Sequence, residues 1–191
     1  MACNQDIERA LEVLRNGGVI LYPTDTIWGL GCDAANAEAV ARIYEIKKRQ
    51  DSKALICLLD NDALLERYVS GVPEVAYELI DAAVEPLTIV YDGAKVPPIA
   101  ANLPAEDGSL AIRITNHRFS AELCRRLHKP LVSTSANISG QKAPSCFAEI
   151  DPEIIESVDY VCETERETPC EFHRPSNIIK LSADGQIKII R

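Results

Sequence analysis

Short apolar runs with β-branched residues alternate along this chain with stretches of helical periodicity, and the pattern predicts an α/β (α+β) fold, an open mixed sheet flanked by helices. Two hairpin-length connections near the end favour a mixed sheet over a barrel or sandwich. With 191 residues, 47% of them apolar, there is material for one substantial core and not comfortably for two, so residues 1–191 read as a single domain.

The first element is a helix over residues 6–16, where Ile7, Ala10, Leu11 and Leu14 recur at helical spacing and Gly17-Gly18 supplies the stop. Val19-Ile20-Leu21-Tyr22 follows as a buried strand that Pro23 halts, which places the polar Thr24-Asp25-Thr26 loop at a strand end. From Ala37 to Arg49, Val40, Ile43, Tyr44 and Ile46 repeat with a helical period, and Lys47, Lys48 and Arg49 suit the negative end of that helix. Residues 54–59 read as a strand, 62–68 and 74–83 as helices, and 87–91 as a further strand. Between Ser109 and Thr115, Leu110, Ile112 and Ile114 alternate with Ala111 and Arg113, so Arg113 points away from its apolar neighbours. A helix over 120–127 ends before Pro130, and Leu131 to Ser135 runs a strand into a polar turn. Residues 150–158, 160–161, 178–181 and 187–190 supply the remaining elements.

Charge excludes one class of function. Lys and Arg number 20 against 29 Asp and Glu, a net charge of −9, which is the opposite of the broad basic surface of a dedicated nucleic-acid binder. The opening Met-Ala-Cys-Asn-Gln-Asp has neither a basic nor an apolar leader region, and no stretch has the length of a membrane span, so the expected location is the cytoplasm. Seven scattered cysteines, with no Cys-x-x-Cys pair, read as buried free thiols. Cys162, Cys170 and His173 lack a nearby fourth ligand, and no metal site is expected there.

Three segments carry candidate chemistry. Residues 22–34 pack hydroxyls, glycines and the sole Trp28 directly after a strand, where ligands commonly bind, although Thr24 and Thr26 would serve equally well to cap a turn. Lys47, Lys48, Arg49 and Lys53 form a cationic cluster that suits a polyphosphate or, more plainly, complements a helix dipole. Ser133-Thr134-Ser135-Ala136-Asn137-Ile138-Ser139-Gly140 concentrates donors that can converge on an anion.

In combination these segments resemble the threonylcarbamoyl-AMP synthase family, the YrdC-type proteins. The resemblance rests on Tyr-Pro-Thr-Asp-Thr at 22–26, Gly-Leu-Gly at 29–31, Lys-x-Arg at 47–49 and Ser-Thr-Ser-Ala-Asn-x-Ser-Gly at 133–140, in the family's order along nearly the whole chain. It implies a twisted, RibB-like open sheet with a concave, positive ligand cavity. It also implies a reaction in which L-threonine, bicarbonate and ATP, with Mg2+ carried by the nucleotide, give threonylcarbamoyl-AMP and pyrophosphate. A transferase that passes the group to tRNA is the implied indirect partner. By resemblance Lys47 and Arg49 are the catalytic cations, and Lys47, Arg49, Lys53, Ser109, Ser135, Asn137 and Arg191 hold ATP. Thr24, Thr26, Arg113, Ser133 and Ser176 face threonine.

The chain departs from the family pattern at Leu58, where relatives often carry a histidine, at Glu85, at Thr115, where a proline is usual, and at Asn177. These departures leave open a relative that binds nucleotide or double-stranded RNA without activating threonine. No histidine is assigned as a general base, so catalysis is expected to rest on positioning and charge stabilisation.

Overall fold

The computed structural model describes residues 2–48, 55–169 and 175–191. In chain order the elements are α1 (Ala2–Arg15), β1 (Ile20–Tyr22), β2 (Gly29–Gly31), α2 (Ala37–Ile46), β3 (Ile56–Leu59), α3 (Leu65–Tyr68), α4 (Glu74–Ala82), β4 (Leu87–Tyr91) and β5 (Leu110–Ile114). They continue with α5 (Arg118–Leu127), β6 (Leu131–Ser135), α6 (Pro152–Ser157), β7 (Tyr160–Val161), β8 (Asn177–Leu181) and β9 (Ile187–Ile189). Among the described residues the strands form one nine-stranded sheet in the order β7-β1-β2-β6-β3-β5-β4-β8-β9. The expected mixed α/β sheet is therefore present, with parallel pairing at β1/β7, β3/β5 and β4/β8 and antiparallel pairing elsewhere.

One expectation about the sheet needs correction, and one strand was not foreseen. Of the late connections only β8 to β9 is a hairpin, since β7 pairs with β1 at the opposite edge. Gly29-Leu30-Gly31, which offers no side-chain pattern of a strand, is a fully buried strand between β1 and β6. Its glycines answer to their neighbours: a Cβ on Gly31 would stand 2.6 Å from Tyr22 Cε1 and 2.9 Å from the Val132 carbonyl. Hydrophobic periodicity cannot detect a strand whose side chains must be absent.

Strand alternation sorts the core into two faces. Leu21, Leu30, Cys57, Leu59, Ile112 and Val132 point to the larger core, shared with α2, α4 and α6. Ile20, Tyr22, Leu58 and Leu131 point to the other side, where Ile7, Leu11 and Leu14 of α1 meet Phe119, Leu123 and Leu127 of α5. These helices cover only part of that face, and the sheet beyond them is open to a cavity. Leu58 is wholly buried in this smaller core. Helix α2 begins at Asn36, whose side chain accepts from the backbone N–H groups of Glu38 and Ala39. His117 and His128 flank α5, the second in a left-handed C-cap with φ 58°.

Cysteine usage is mixed. Cys32, Cys57, Cys124 and Cys162 are buried free thiols as expected, and burial pushes the Cys57 thiol up to about 12 and raises the other three, so none is a ready nucleophile. Cys146, read from sequence as another free thiol, is instead disulfide-bonded. Cys170 and His173 lie outside the described residues.

A buried carboxylate on α1 fixes the segment after β7. Asp6 is 3% exposed and accepts from Tyr160 Oη (2.7 Å), Glu163 N (3.0 Å), Thr164 N (2.7 Å) and Thr164 Oγ1 (2.5 Å). Burial alone would raise its pKa, but the hydrogen bonds outweigh that and hold it below the ordinary aspartate value of 3.8. A carboxyl depressed on folding contributes stability above its unfolded pKa and loses it as pH falls through the folded value. Asp6→Ala, which strands these donors, is expected to cost about 3 kcal/mol at neutral pH. In urea titrations the gap between wild type and variant should be constant near neutrality and narrow below about pH 4.

Candidate active site

The open part of the sheet face forms a cavity of about 600 Å³. Its floor is apolar, from Ile56 on β3, Val90 on β4, Ala111 on β5 and Ile178 on β8, and polar groups stand around it. The alternation read for β5 holds: Arg113 shares the cavity face with Ala111, while Ile112 faces the larger core. Its side chain is only 4% exposed, Nη2 lies 2.9 Å from Asp25 Oδ1, and Nε has no hydrogen-bond partner among the described residues. A buried guanidinium with a spare donor beside a cavity is a receptor for an anionic oxygen, and its planar fork suits a carboxylate.

Hydroxyls from four other segments converge on the same cavity. Thr24 and Thr26 come from the β1–β2 loop, Ser133 and Ser135 from β6, Thr88 from β4 and Ser176 from just before β8. Thr24 makes the turn that its residue type allowed: its hydroxyl donates to the Ile27 carbonyl (2.7 Å) and accepts from Thr26 N (3.1 Å), with Thr26 Oγ1 at 3.0 Å. Gly29 lines the cavity between them, and a Cβ there would meet Thr134 O at 3.2 Å and Ser133 Oγ at 3.4 Å. Thr88 and Ser176 share a 2.8 Å hydrogen bond, both buried. Arg191 also lines the cavity, with Nε and Nη2 each 3.2 Å from the Ser176 carbonyl that accepts from them.

Electrostatics distinguish this cavity from its neighbour. Among the described residues its lining contains the cations Arg113 and Arg191 and no carboxylate. A second cavity, of about 580 Å³, is lined by Asp25, Asp60, Asp62, Asp81 and Glu85 and would repel phosphates. An anionic ligand of nucleotide size belongs in the first.

A profile of the Sua5/YciO/YrdC family, described as Telomere recombination, matches residues 12–191. The chain belongs to this family. A threonylcarbamoyl-AMP synthase from Pseudoalteromonas translucida is 37% identical over 190 residues, 98% of either chain. A putative threonylcarbamoyl-AMP synthase from Methanocaldococcus jannaschii is 36% identical over 191 residues, covering 97% of this chain and 86% of its own. Among solved structures, P. abyssi Sua5 complexed with L-threonine superposes with a TM-score of 0.82 at 26% identity over 92% of this chain, which spans 50% of that longer protein. The fold is shared as well with E. coli YciO, at a TM-score of 0.82, 24% identity and coverage of 97% and 87%.

Within this Sua5/YciO/YrdC domain the expected site residues divide into four groups. Thr24, Thr26, Arg113, Ser133, Ser135, Ser176 and Arg191 all border the one cavity, although they span most of the sequence. Lys47 and Asn137 are not among its lining residues, although Lys47 is bonded to one that is, Ser135. The buried Lys47 ammonium donates to the carbonyls of Ser135 (2.5 Å) and Asn137 (2.8 Å), and Asn137 Nδ2 donates to the Gln141 carbonyl (2.7 Å) beside a smaller adjoining cavity. Ser109 stays outside the lining, with its hydroxyl donated to Asp107 at 2.5 Å. Arg49 and Lys53 lie outside the described residues.

Sequence reasoning missed Thr88 and Asp25. A period-two reading of 87–91 puts Thr88 on the face of Val90 and away from Ile89, which was the available signal. Asp25 stood inside the Tyr-Pro-Thr-Asp-Thr motif without a role. Among the described residues no cluster of His, Cys, Asp and Glu suits a metal ion, and no helix is long and apolar enough to cross a membrane.

Proposed function

We propose that this chain is a threonylcarbamoyl-AMP synthase, a nucleotidyltransferase that joins L-threonine, bicarbonate and ATP into threonylcarbamoyl-AMP and pyrophosphate. The observation that carries the reading is Arg113: a buried guanidinium whose Nε has no partner among the described residues, lining a cavity ringed by hydroxyls. Arg113 takes the threonine carboxylate, and Thr26, Ser133 and Ser176 orient the rest of the amino acid. ATP lies in the remainder of the cavity toward Ser135 and Arg191, with its phosphates near the basic end of α2. Mg2+ would enter on the triphosphate.

The threonine nitrogen bonds to the bicarbonate carbon with loss of water, giving a carbamate. A carbamate oxygen then attacks the α-phosphorus as the bond to the bridging oxygen of pyrophosphate breaks. The protein's part is to hold the two reactants in line and to balance the charge that develops on phosphate oxygens. A transferase that consumes the mixed anhydride and modifies tRNA belongs to the same reading. Direct RNA binding fits less well, given a net charge of −9 and an acidic cavity beside the site.

Pyrophosphate release with ATP, magnesium and bicarbonate, with and without L-threonine, tests the proposal. Release should depend on threonine, fall with serine or alanine in its place, and weaken in Asn137→Ala. Threonine-independent release, or none despite ATP binding, would overturn it.

A further inference from the structure

We propose that Asp25 is a positioning residue for Arg113: clamped by the turn that follows β5, it fixes the guanidinium in the plane that receives the substrate carboxylate. The inference rests on the synthase reading above. Asp25 is not in the lining of the 600 Å³ cavity. It borders the acidic cavity and reaches the reacting face only through Arg113 Nη2, 2.9 Å away.

Its other oxygen is held from the strand end beyond Arg113. Thr115 Oγ1 donates to Asp25 Oδ2 at 3.2 Å and itself accepts from His117 N at 3.3 Å. Thr115 is 1% exposed, and its own N–H donates to the Leu59 carbonyl (2.9 Å), so the hydroxyl rides on rigid sheet. The first turn of α5 grips the loop a second time: Ser120 Oγ donates to the Pro23 carbonyl (2.9 Å), and the His117 ring spans Ser120 Oγ (3.2 Å) and Glu165 Oε1 (3.0 Å). Residues 115–120 therefore fix the height and tilt of residues 23–25 relative to β5, from which Arg113 projects.

Geometry explains why this matters. Forked recognition of a carboxylate requires both N–H vectors near the productive orientation, within about 10–20°. The 2.9 Å contact between Nη2 and Asp25 Oδ1 is an ion pair rather than an aligned hydrogen bond, so it biases the guanidinium toward the loop by charge and leaves Nε available. Without the Asp25 charge the buried guanidinium loses the one carboxylate shown beside it, and its position at the cavity is no longer set from that side.

The test uses the full chain and steady-state pyrophosphate release, with calorimetric titration of threonine and of ATP. Asp25→Asn keeps the shape and removes the charge. It should raise the threonine concentration for half-saturation about tenfold or more, change kcat by less than about threefold, and leave ATP affinity unaltered. Thr115→Val should shift threonine in the same direction by a smaller factor, and Thr115→Ser should restore it. Wild-type threonine affinity in Asp25→Asn overturns the assignment, as does a parallel loss of threonine and ATP affinity, which marks a general loosening. If Asp25→Asn does not fold, Thr115→Val is judged by the same criteria. Failure of the wild-type chain to bind threonine while binding ATP overturns the synthase reading and this inference with it, an outcome distinct from the variant results.

Discussion

Arg113→Lys is expected to lower threonine-dependent kcat/KM by about 100- to 1000-fold while leaving ATP binding close to wild type. The lysine keeps a positive charge within reach of the partly buried Asp25, so the variant avoids leaving that carboxylate without a cation, as the alanine variant would. What lysine lacks is the fork. A compact ammonium on a flexible stem cannot bond Asp25 and also present a fixed second donor to a substrate carboxylate, so the loss should fall on threonine. Initial rates at several threonine concentrations, with ATP titrated separately by calorimetry, check this. Equal damage to both substrates would place Arg113 in the general architecture of the sheet.

Lys47→Met is expected to damage stability and nucleotide binding together. Lys47 is 3% exposed, and its ammonium joins the carbonyls of Ser135 and Asn137, while its own carbonyl accepts from Ser139 N at 2.9 Å. The end of α2 is thereby tied to the Ser-Thr-Ser-Ala-Asn segment. Methionine retains the length of the stem and removes the donors, leaving carbonyls that had been bonded to a charged group. A loss of about 2–4 kcal/mol in unfolding free energy is expected, with weaker ATP binding as the wall relaxes. A lysine acting only as a phosphate ligand gives a different signature: ATP affinity falls and the melting temperature does not. Thermal denaturation beside ATP calorimetry separates the two.

Much of the scaffold was legible because side chains announced it. The apolar repeats of α1, α2 and α5 and the alternation across 109–115 follow from burial on one face, and they placed Arg113 on the correct side of the sheet. The strand at Gly29–Gly31 was illegible for the converse reason, since it is defined by the Tyr22 ring and Val132 carbonyl pressed against it. The site was legible as a set of motifs but not as a division of labour. Lys47 reads as a phosphate ligand, but its bonds to the carbonyls of Ser135 and Asn137 have no signal in the sequence, and Thr24 is both turn-former and cavity lining. The pairing of Thr115 with Asp25 joins residues 90 positions apart and has no local signature at all.

The cavity draws its lining from the first loop of the sheet at Thr24 to the last residue at Arg191, with contributions from β3, β4, β5, β6 and β8 between them. No contiguous piece of the chain holds a binding half-site. A molecule seated there is bound only when the whole sheet is assembled, so its binding free energy is linked to global unfolding rather than to the opening of one lobe. A ligand of this cavity is then expected to raise the folded population of the entire polypeptide, and limited proteolysis with and without it would read the difference.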